Sequence, residues 1–120
     1  MQLNDLIDTA ASNQPLLSAD VESVARGLGV PLPKLMDLFA RTVATRYLRG
    51  QCSFGFADMA MNQLFGFAHA ETGPGLSEFA WQVFGAFDEG EYVHQGESPD
   101  EQGEARTRKI LGGIGSLGGE

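Results

Sequence analysis

Apolar residues recur along this chain at the three- and four-residue spacing of helices, and no run alternates for long enough to form a β-sheet. Clusters of glycine and proline interrupt the pattern at 27–33, at 50 and at 73–75. A chain of 120 residues can bury one hydrophobic core. The sequence therefore predicts an all-α fold, a compact single-domain bundle of five or six helices over residues 1–111. The Gly-rich segment 112–120 is predicted to be a mobile C-terminal tail, because glycine disfavours a stable helix.

Six segments carry the predicted helices, and they are 3–11, 18–29, 34–49, 54–70, 77–90 and 99–111. A serine stands where an N-cap is needed in three of them, at Ser18, Ser53 and Ser77. The second helix is expected to bury Val21, Val24, Ala25 and Leu28. The last helix has the clearest start, because Ser98 is a suitable N-cap, Pro99 suits the first helical position and Glu101 completes a capping box.

The segment 78–94 joins the densest aromatic run of the chain to its densest acidic cluster. Its buried stripe is expected to consist of Phe79, Ala80, Val83, Phe84 and Phe87. Leu76 and Trp81 flank the cap Ser77 at the spacing of a hydrophobic staple, which predicts that they pack together and fix the start of the helix.

Acidic residues follow this apolar stripe, where Asp88 and Glu89 precede Gly90 at the predicted helix end. The negative end of a helix disfavours exposed anions by about 0.3–1 kcal/mol each, so such a placement indicates another use for the groups. Aromatic residues such as Trp81 beside the acids favour a protein-binding surface. The alternative is a solvated acidic face that only keeps the protein soluble. The predicted partner-binding residues are Asp88, Glu89, Glu91, Tyr92, Glu97, Asp100 and Glu101.

The charge of the chain is strongly acidic and uneven. Its formal net charge is −8, and residues 71–120 hold ten of the sixteen acidic residues but only three of the eight basic ones, which leaves −7 in that half. General nucleic-acid binding is disfavoured, because phosphate contacts require clustered lysine and arginine. The same acidic half favours a basic protein as partner.

Catalytic and metal-binding patterns are missing from the sequence. It has no nucleophile motif and no phosphate-binding glycine loop, and its only histidines are His69 and His94, so we expect no enzyme activity, no cofactor and no metal. The single cysteine, Cys52, cannot form an internal disulfide. Because the first residues lack a secretory signal and no segment approaches about 20 apolar residues, a cytoplasmic protein without a membrane span is predicted.

Two other interpretations stay open from the residues alone. Residues 18–50 have the glycine and apolar spacing of a helix-turn-helix DNA-binding regulator and carry a local charge of +2, although Pro31 and Pro33 stand where base-reading side chains are needed. An ordinary helical hairpin explains the same spacing. A homo-oligomer, such as a homodimer, formed through the Met- and Phe-rich segment 54–70 is the second alternative.

A resemblance supports the protein-binding interpretation. The run 86–92, AFDEGEY, followed by Pro99, Glu104 and Thr107-Arg108, resembles the C-terminal portions of small bacterial immunity-type proteins, including the colicin-like immunity families. It covers about residues 77–111. The resemblance implies a compact, acidic, helical protein that neutralises a basic toxin by masking its active surface. No contact residue is taken over from those families, and the predicted site rests on charge and position.

Overall fold

The computed structural model describes residues 1–70, 73–91 and 103–114, and within these ranges it contains helices and no strand. The prediction of an all-α, single-domain bundle is confirmed. The helices are α1 (Leu3–Ala11), α2 (Ser18–Leu28), α3 (Leu32–Leu48), α4 (Phe54–Ala68), α5 (Glu78–Gly90) and α6 (Gly103–Gly112). In the part of the chain that is described, no helix combines the length and the apolar character needed to cross a membrane.

Local capping signals set most of the helix ends. Ser53 and Ser77 cap α4 and α5 as predicted, since their Oγ atoms accept hydrogen bonds from Phe56 N at 3.1 Å and Ala80 N at 3.2 Å. The prediction for Ser18 is wrong, because Ser18 is the first residue of α2 and the N-cap is Leu17. The proposed cap of the last helix, 98–101, lies outside the described residues.

Glycine and proline act at three of the predicted boundaries. Gly29 and Gly50 follow α2 and α3 with positive φ angles of 69° and 72°, a conformation that favours glycine. α3 begins at Leu32 rather than at Lys34, because proline is tolerated in the first turn of a helix, where Pro33 lies.

The core lies where α3, α4 and α5 pack together, and α1 packs against α4 and adds Leu6, Ile7 and Ala10 to it. Three aromatic rings, one each from α3, α4 and α5, pack together, with centroid distances of 5.2 Å for Tyr47–Phe87, 5.8 Å for Phe54–Phe87 and 6.2 Å for Tyr47–Phe54. α3 buries one face along most of its length, at Leu35, Met36, Phe39, Ala40, Val43, Ala44 and Tyr47. Leu28, predicted to lie in the core, is 48% exposed, because it belongs to the last turn of α2.

α6 packs very closely against the C-terminal end of α5. A Cβ atom added to Gly90 would collide with Thr107 Oγ1 and would lie 2.9 Å from Cε2 of Phe54. α5 ends at Gly90 as predicted, but the φ angle of Gly90 is not among the positive ones. The glycine is therefore needed because α6 and Phe54 approach the backbone here, and not because the chain turns into the left-handed region.

A polar contact joins α6 to α3 as well. The Tyr47 hydroxyl donates a hydrogen bond of 3.0 Å to Glu104 Oε1, and the Arg108 guanidinium lies 4.4 Å above the Tyr47 ring. Burial, followed by the hydrogen bond to Glu104, raises the pKa of Tyr47 to about 12. Tyr47 is thus held in its neutral form, with its ring in the core and its hydroxyl on α6.

Candidate functional site

A stripe of partly exposed side chains runs along the line where α4 and α5 meet. The two helices are antiparallel, since Asp58 near the start of α4 lies beside Glu91 at the end of α5, while His69 after α4 lies beside Trp81. The positions recur at helical spacing on each helix, so they share one face. We call this stripe the α4–α5 seam, and its residues are Asp58, Phe65 and His69 from α4 and its C-cap, and Trp81, Phe84, Asp88 and Glu91 from α5 and its C-cap.

One end of the seam is aromatic. Phe65 stacks on Phe84 with a centroid distance of 4.4 Å, and the His69 ring also lies 4.4 Å from the Phe65 ring. Trp81 lies 6.0 Å from Phe65 and 5.8 Å from Phe84, yet it is 51% exposed. The indole is therefore held in place by neighbouring rings while a large part of its surface faces solvent.

The other end of the seam is a cluster of three carboxyl groups, Asp58, Asp88 and Glu91. Partial burial is the largest cause that raises the pKa of Asp58 from its ordinary value of 3.8 to about 7, and the charge and hydrogen bond of Glu91 add to it. Burial also raises the pKa of Glu91, the hydrogen bond with Asp58 opposes this rise, and the Asp88 charge supports it. The shared hydrogen bond thus favours the protonated form of Asp58 and the ionised form of Glu91.

Among the described residues, no group of three or more histidine, cysteine, aspartate or glutamate side chains is arranged to hold a metal ion. The seam therefore presents concentrated negative charge at one end and exposed aromatic surface at the other. The distance from Trp81 to Glu91 along α5 is about 15 Å, from the rise of 1.5 Å per residue.

A groove of about 1000 Å³ lies on the other side of α5, against α6. We call it the α5–α6 groove. Trp81 and Asp88 border both the groove and the seam, so the two surfaces are continuous across the exposed face of α5. The residues that line the groove are Trp81, Gln82, Gly85, Ala86, Asp88 and Glu89 on α5, and Arg106, Lys109, Ile110, Gly113 and Ile114 on and after α6.

The predicted partner-binding residues divide into three groups. Asp88 and Glu91 come together at the acidic end of the seam. Glu89 lies on the groove side instead, where its Oε2 is 4.0 Å from Arg106 Nη1. Tyr92, Glu97, Asp100 and Glu101 lie outside the described residues.

Several seam residues are not among the residues that the sequence predicts for a site. The sequence assigns Asp58 only to the start of α4, and it places Phe84 in the buried stripe, although Phe84 is partly exposed. It predicts that Trp81 packs on Leu76 and borders the acidic surface, and the rings around Trp81 are Phe65, His69 and Phe84. Helical spacing within α4 and within α5 is the available signal, but it does not show which face of each helix meets the other.

The segment proposed as a helix-turn-helix forms α2 and α3. The Arg41 guanidinium lies 4.8 Å above the Phe79 ring, and that of Arg46 lies 4.9 Å above the Phe56 ring. Asp37, in the first half of α3, accepts a hydrogen bond from Ser77 Oγ, the cap of α5. α3 is thus tied to α4 and α5 through Asp37, Arg41 and Arg46.

Comparison with known proteins leaves the seam and the groove as the grounds for a functional proposal. No family model matches the chain, and neither a curated protein nor a solved structure is found to match it.

Proposed function

We propose that this protein is a non-catalytic binding module that docks a basic protein partner on the α4–α5 seam. The observation that carries the proposal is the half-exposed Trp81, held by Phe65 and Phe84 on the same stripe as the carboxyl groups of Asp88 and Glu91. Tryptophan is among the residues that contribute most to protein interfaces, especially where neighbouring rings keep it in one orientation.

The two ends of the seam have different roles in this proposal. The carboxylates near Asp88, together with the net charge of −8, attract a basic partner and increase the rate of encounter. Trp81 and its aromatic neighbours then exclude water from the contact and slow dissociation. A basic partner that also carries an apolar or aromatic residue about 15 Å from its positive charges fits both ends at once.

The most concrete form of this function is that of an immunity-type protein in the cytoplasm. In that role the protein binds a basic toxin stoichiometrically and covers its active surface. The small size, the acidic C-terminal half and the resemblance of about residues 77–111 to colicin-like immunity proteins support this form. The role requires no cofactor, because the inhibitor acts only by occupying a surface.

Affinity capture from cells that produce the protein tests the proposal. The immobilised wild-type chain should retain a basic protein that a Trp81→Ala variant and an Asp88→Lys/Glu91→Lys variant both fail to retain. The matched control is Asp8→Lys/Glu22→Lys, which changes the net charge equally at exposed positions on α1 and α2. A partner that binds all four proteins alike would contradict the assignment to the seam, and capture of an acidic partner would contradict the proposed charge complementarity.

A further inference from the structure

The floor of the α5–α6 groove is apolar and made of small and aliphatic residues. Ile110 and Ile114 contribute it on and after α6, and Gly85 lies opposite them on α5, next to the fully buried Ala86. No described atom lies within 4 Å of a Cβ atom built on Gly85, so the backbone of α5 is directly accessible from the groove at this position. A helix can therefore approach α5 closely here, because small residues let two helix backbones pack at short distance.

The two walls of the groove carry opposite charges. Asp88 and Glu89 stand on the α5 wall, and Arg106 and Lys109 stand on the α6 wall. Glu89 and Arg106 meet at 4.0 Å and bound the groove near the C-terminal end of α5, while Trp81 borders it at the opposite end, in the first turn of that helix. The groove therefore differs between its two ends and between its two walls, so a bound molecule can have only one favourable orientation in it.

This arrangement suits a helix better than a small molecule. Specific small-molecule sites use polar groups that converge from fixed, buried positions. Here Lys109 is exposed, and Asp88 and Glu89 are only partly buried, so the charges form a rim around an apolar floor. An apolar floor with a charged rim is the arrangement that receives the apolar face of an amphipathic helix.

We infer that the α5–α6 groove receives an amphipathic α-helix of the partner protein, with its apolar residues on the floor, its basic edge along α5 and its acidic edge along α6. This inference rests on the proposed function in taking the partner to be a protein. It adds the secondary structure of the bound segment, its charge pattern and its orientation across the groove. Trp81 borders both surfaces, so the same indole contacts the helix at one end of the groove.

Selection from a displayed peptide library tests this inference and does not require the partner to be identified. Peptides are selected on the wild-type chain, and the affinity of each selected peptide is then measured for Gly85→Leu, in which the added side chain occupies the groove. The matched control is Gly27→Leu on α2, where a Cβ atom also has no described atom within 4 Å and which lies away from the groove. Circular dichroism and thermal unfolding establish that both variants keep the fold.

The expected peptides have apolar residues at helical spacing, lysine or arginine on one edge and aspartate or glutamate on the other. They should bind wild type and Gly27→Leu equally, change the fluorescence of Trp81, the single tryptophan of the chain, and lose at least tenfold in affinity for Gly85→Leu. Exchanging the basic and acidic residues of a selected peptide should lower its affinity for the wild-type chain by a similar factor. Selected peptides without helical spacing, or with full affinity for a folded Gly85→Leu chain, would overturn the inference, as would a selection that yields no Gly85-sensitive binder.

The failure of this inference can be separated from the failure of the proposed function. A captured partner that binds Gly85→Leu normally but does not bind Trp81→Ala uses the seam without the groove, which rejects the helix and retains the docking function. Saturable binding of a small molecule from a compound library, abolished by Gly85→Leu where no peptide competes with it, would instead identify the groove as a ligand pocket and reject the helix.

Discussion

Thr107 Oγ1 donates a hydrogen bond of 2.7 Å to the main-chain oxygen of Ala86, at a position where the threonine has no solvent exposure. The bond ties α6 to the C-terminal half of α5, beside the floor of the groove. A buried hydroxyl has no water to replace its partner, so this contact is expected to matter for how firmly α6 is held.

Replacing Thr107 by valine should lower the free energy of unfolding by about 1 kcal/mol, because the shape is kept and the hydrogen bond is lost. Urea unfolding measures the change, and amide exchange should show that the increase in opening is concentrated in α6. Thr107→Ser, which keeps the hydroxyl, serves as the comparison for hydrogen bonding. Equal unfolding midpoints for wild type and Thr107→Val, with unchanged exchange in α6, would argue against this role.

Two glycines of α5 should respond to alanine in opposite directions. Gly90→Ala places a methyl group against Thr107 and Phe54 and should destabilise the fold by about 1–3 kcal/mol. Gly85→Ala meets no described atom within 4 Å and should stabilise the helix by about 0.5–1 kcal/mol. Thermal unfolding of the two variants under one condition checks both signs. A stabilising Gly90→Ala would mean that α6 does not approach α5 as closely as described.

The carboxyl cluster at the acidic end of the seam should make stability fall as the pH rises from about 4 to about 7. The folded chain raises the pKa of Asp58 from 3.8 to about 7, so in this window the folded state binds more protons than the unfolded state. Its stabilising proton is fully bound below pH 4 and is lost as the pH passes 7. Glu91, whose pKa is also raised, contributes with the same sign.

Asp58→Asn removes the ionising group and should flatten this part of the stability profile. At pH 8 the variant should be more stable than wild type by on the order of 1 kcal/mol or less, since solvent screens a partly exposed carboxylate. Urea unfolding between pH 4 and pH 8 gives the two slopes. Asp8→Asn, which removes an exposed carboxylate on α1, is the matched control. Parallel profiles for wild type and Asp58→Asn would reject the coupling in the cluster.

Replacing Trp81 is expected to weaken partner binding more than it lowers the stability of the fold. Trp81→Ala should weaken partner binding by at least about 2 kcal/mol, or roughly 30-fold, as expected for an aromatic residue at the centre of an interface. Its effect on folding should stay near the 0.5–1.5 kcal/mol of an aromatic contact, because half of the side chain already faces solvent. Leu17→Ala, another exposed large apolar residue, is the control. Titration calorimetry and urea unfolding measure the two effects, and a Leu17→Ala chain with the same binding loss would contradict a specific role for Trp81.

The acidic residues are expected to control the rate of association. Reversing Asp88, Glu89 and Glu91 to lysine should slow association with the captured partner at least tenfold at low salt and much less at high salt, because salt screens the attraction. Stopped-flow measurements that use the fluorescence of Trp81 follow the rate. Association that is equally fast for both proteins at low salt would show that these charges do not attract the partner.

Much of the fold is predictable because its determinants are local. The caps Ser53 and Ser77, the positive-φ residues Gly29 and Gly50 and the apolar spacing of each helix act within a few residues along the chain. The error at Leu28 has a physical cause, since periodicity identifies the inward face of a helix but not how far along the helix its neighbours extend.

The candidate site is only partly predictable, because its residues come from separate segments. Asp88 and Glu91 are predictable as site residues from their position at the end of α5. The pKa of Asp58 is not, because burial in the fold raises it and the charge and hydrogen bond that add to this rise come from Glu91, 33 positions away. The sequence predicts Gly90 as a helix end. It does not show that a side chain is excluded at this position, because that depends on how closely α6 approaches. Such contacts depend on the packing angles of α4, α5 and α6, which the spacing within one segment does not contain.

The position of α6 in the chain has a consequence for the timing of assembly during translation. The residues of the seam all precede α6 in the chain, whereas one wall of the groove comes from α6, the last of the described helices. A nascent chain can therefore display the aromatic and acidic surface before it can enclose a helix. Stalled chains that end before Gly103 would be early binders with a short residence time, and full-length chains would retain the partner.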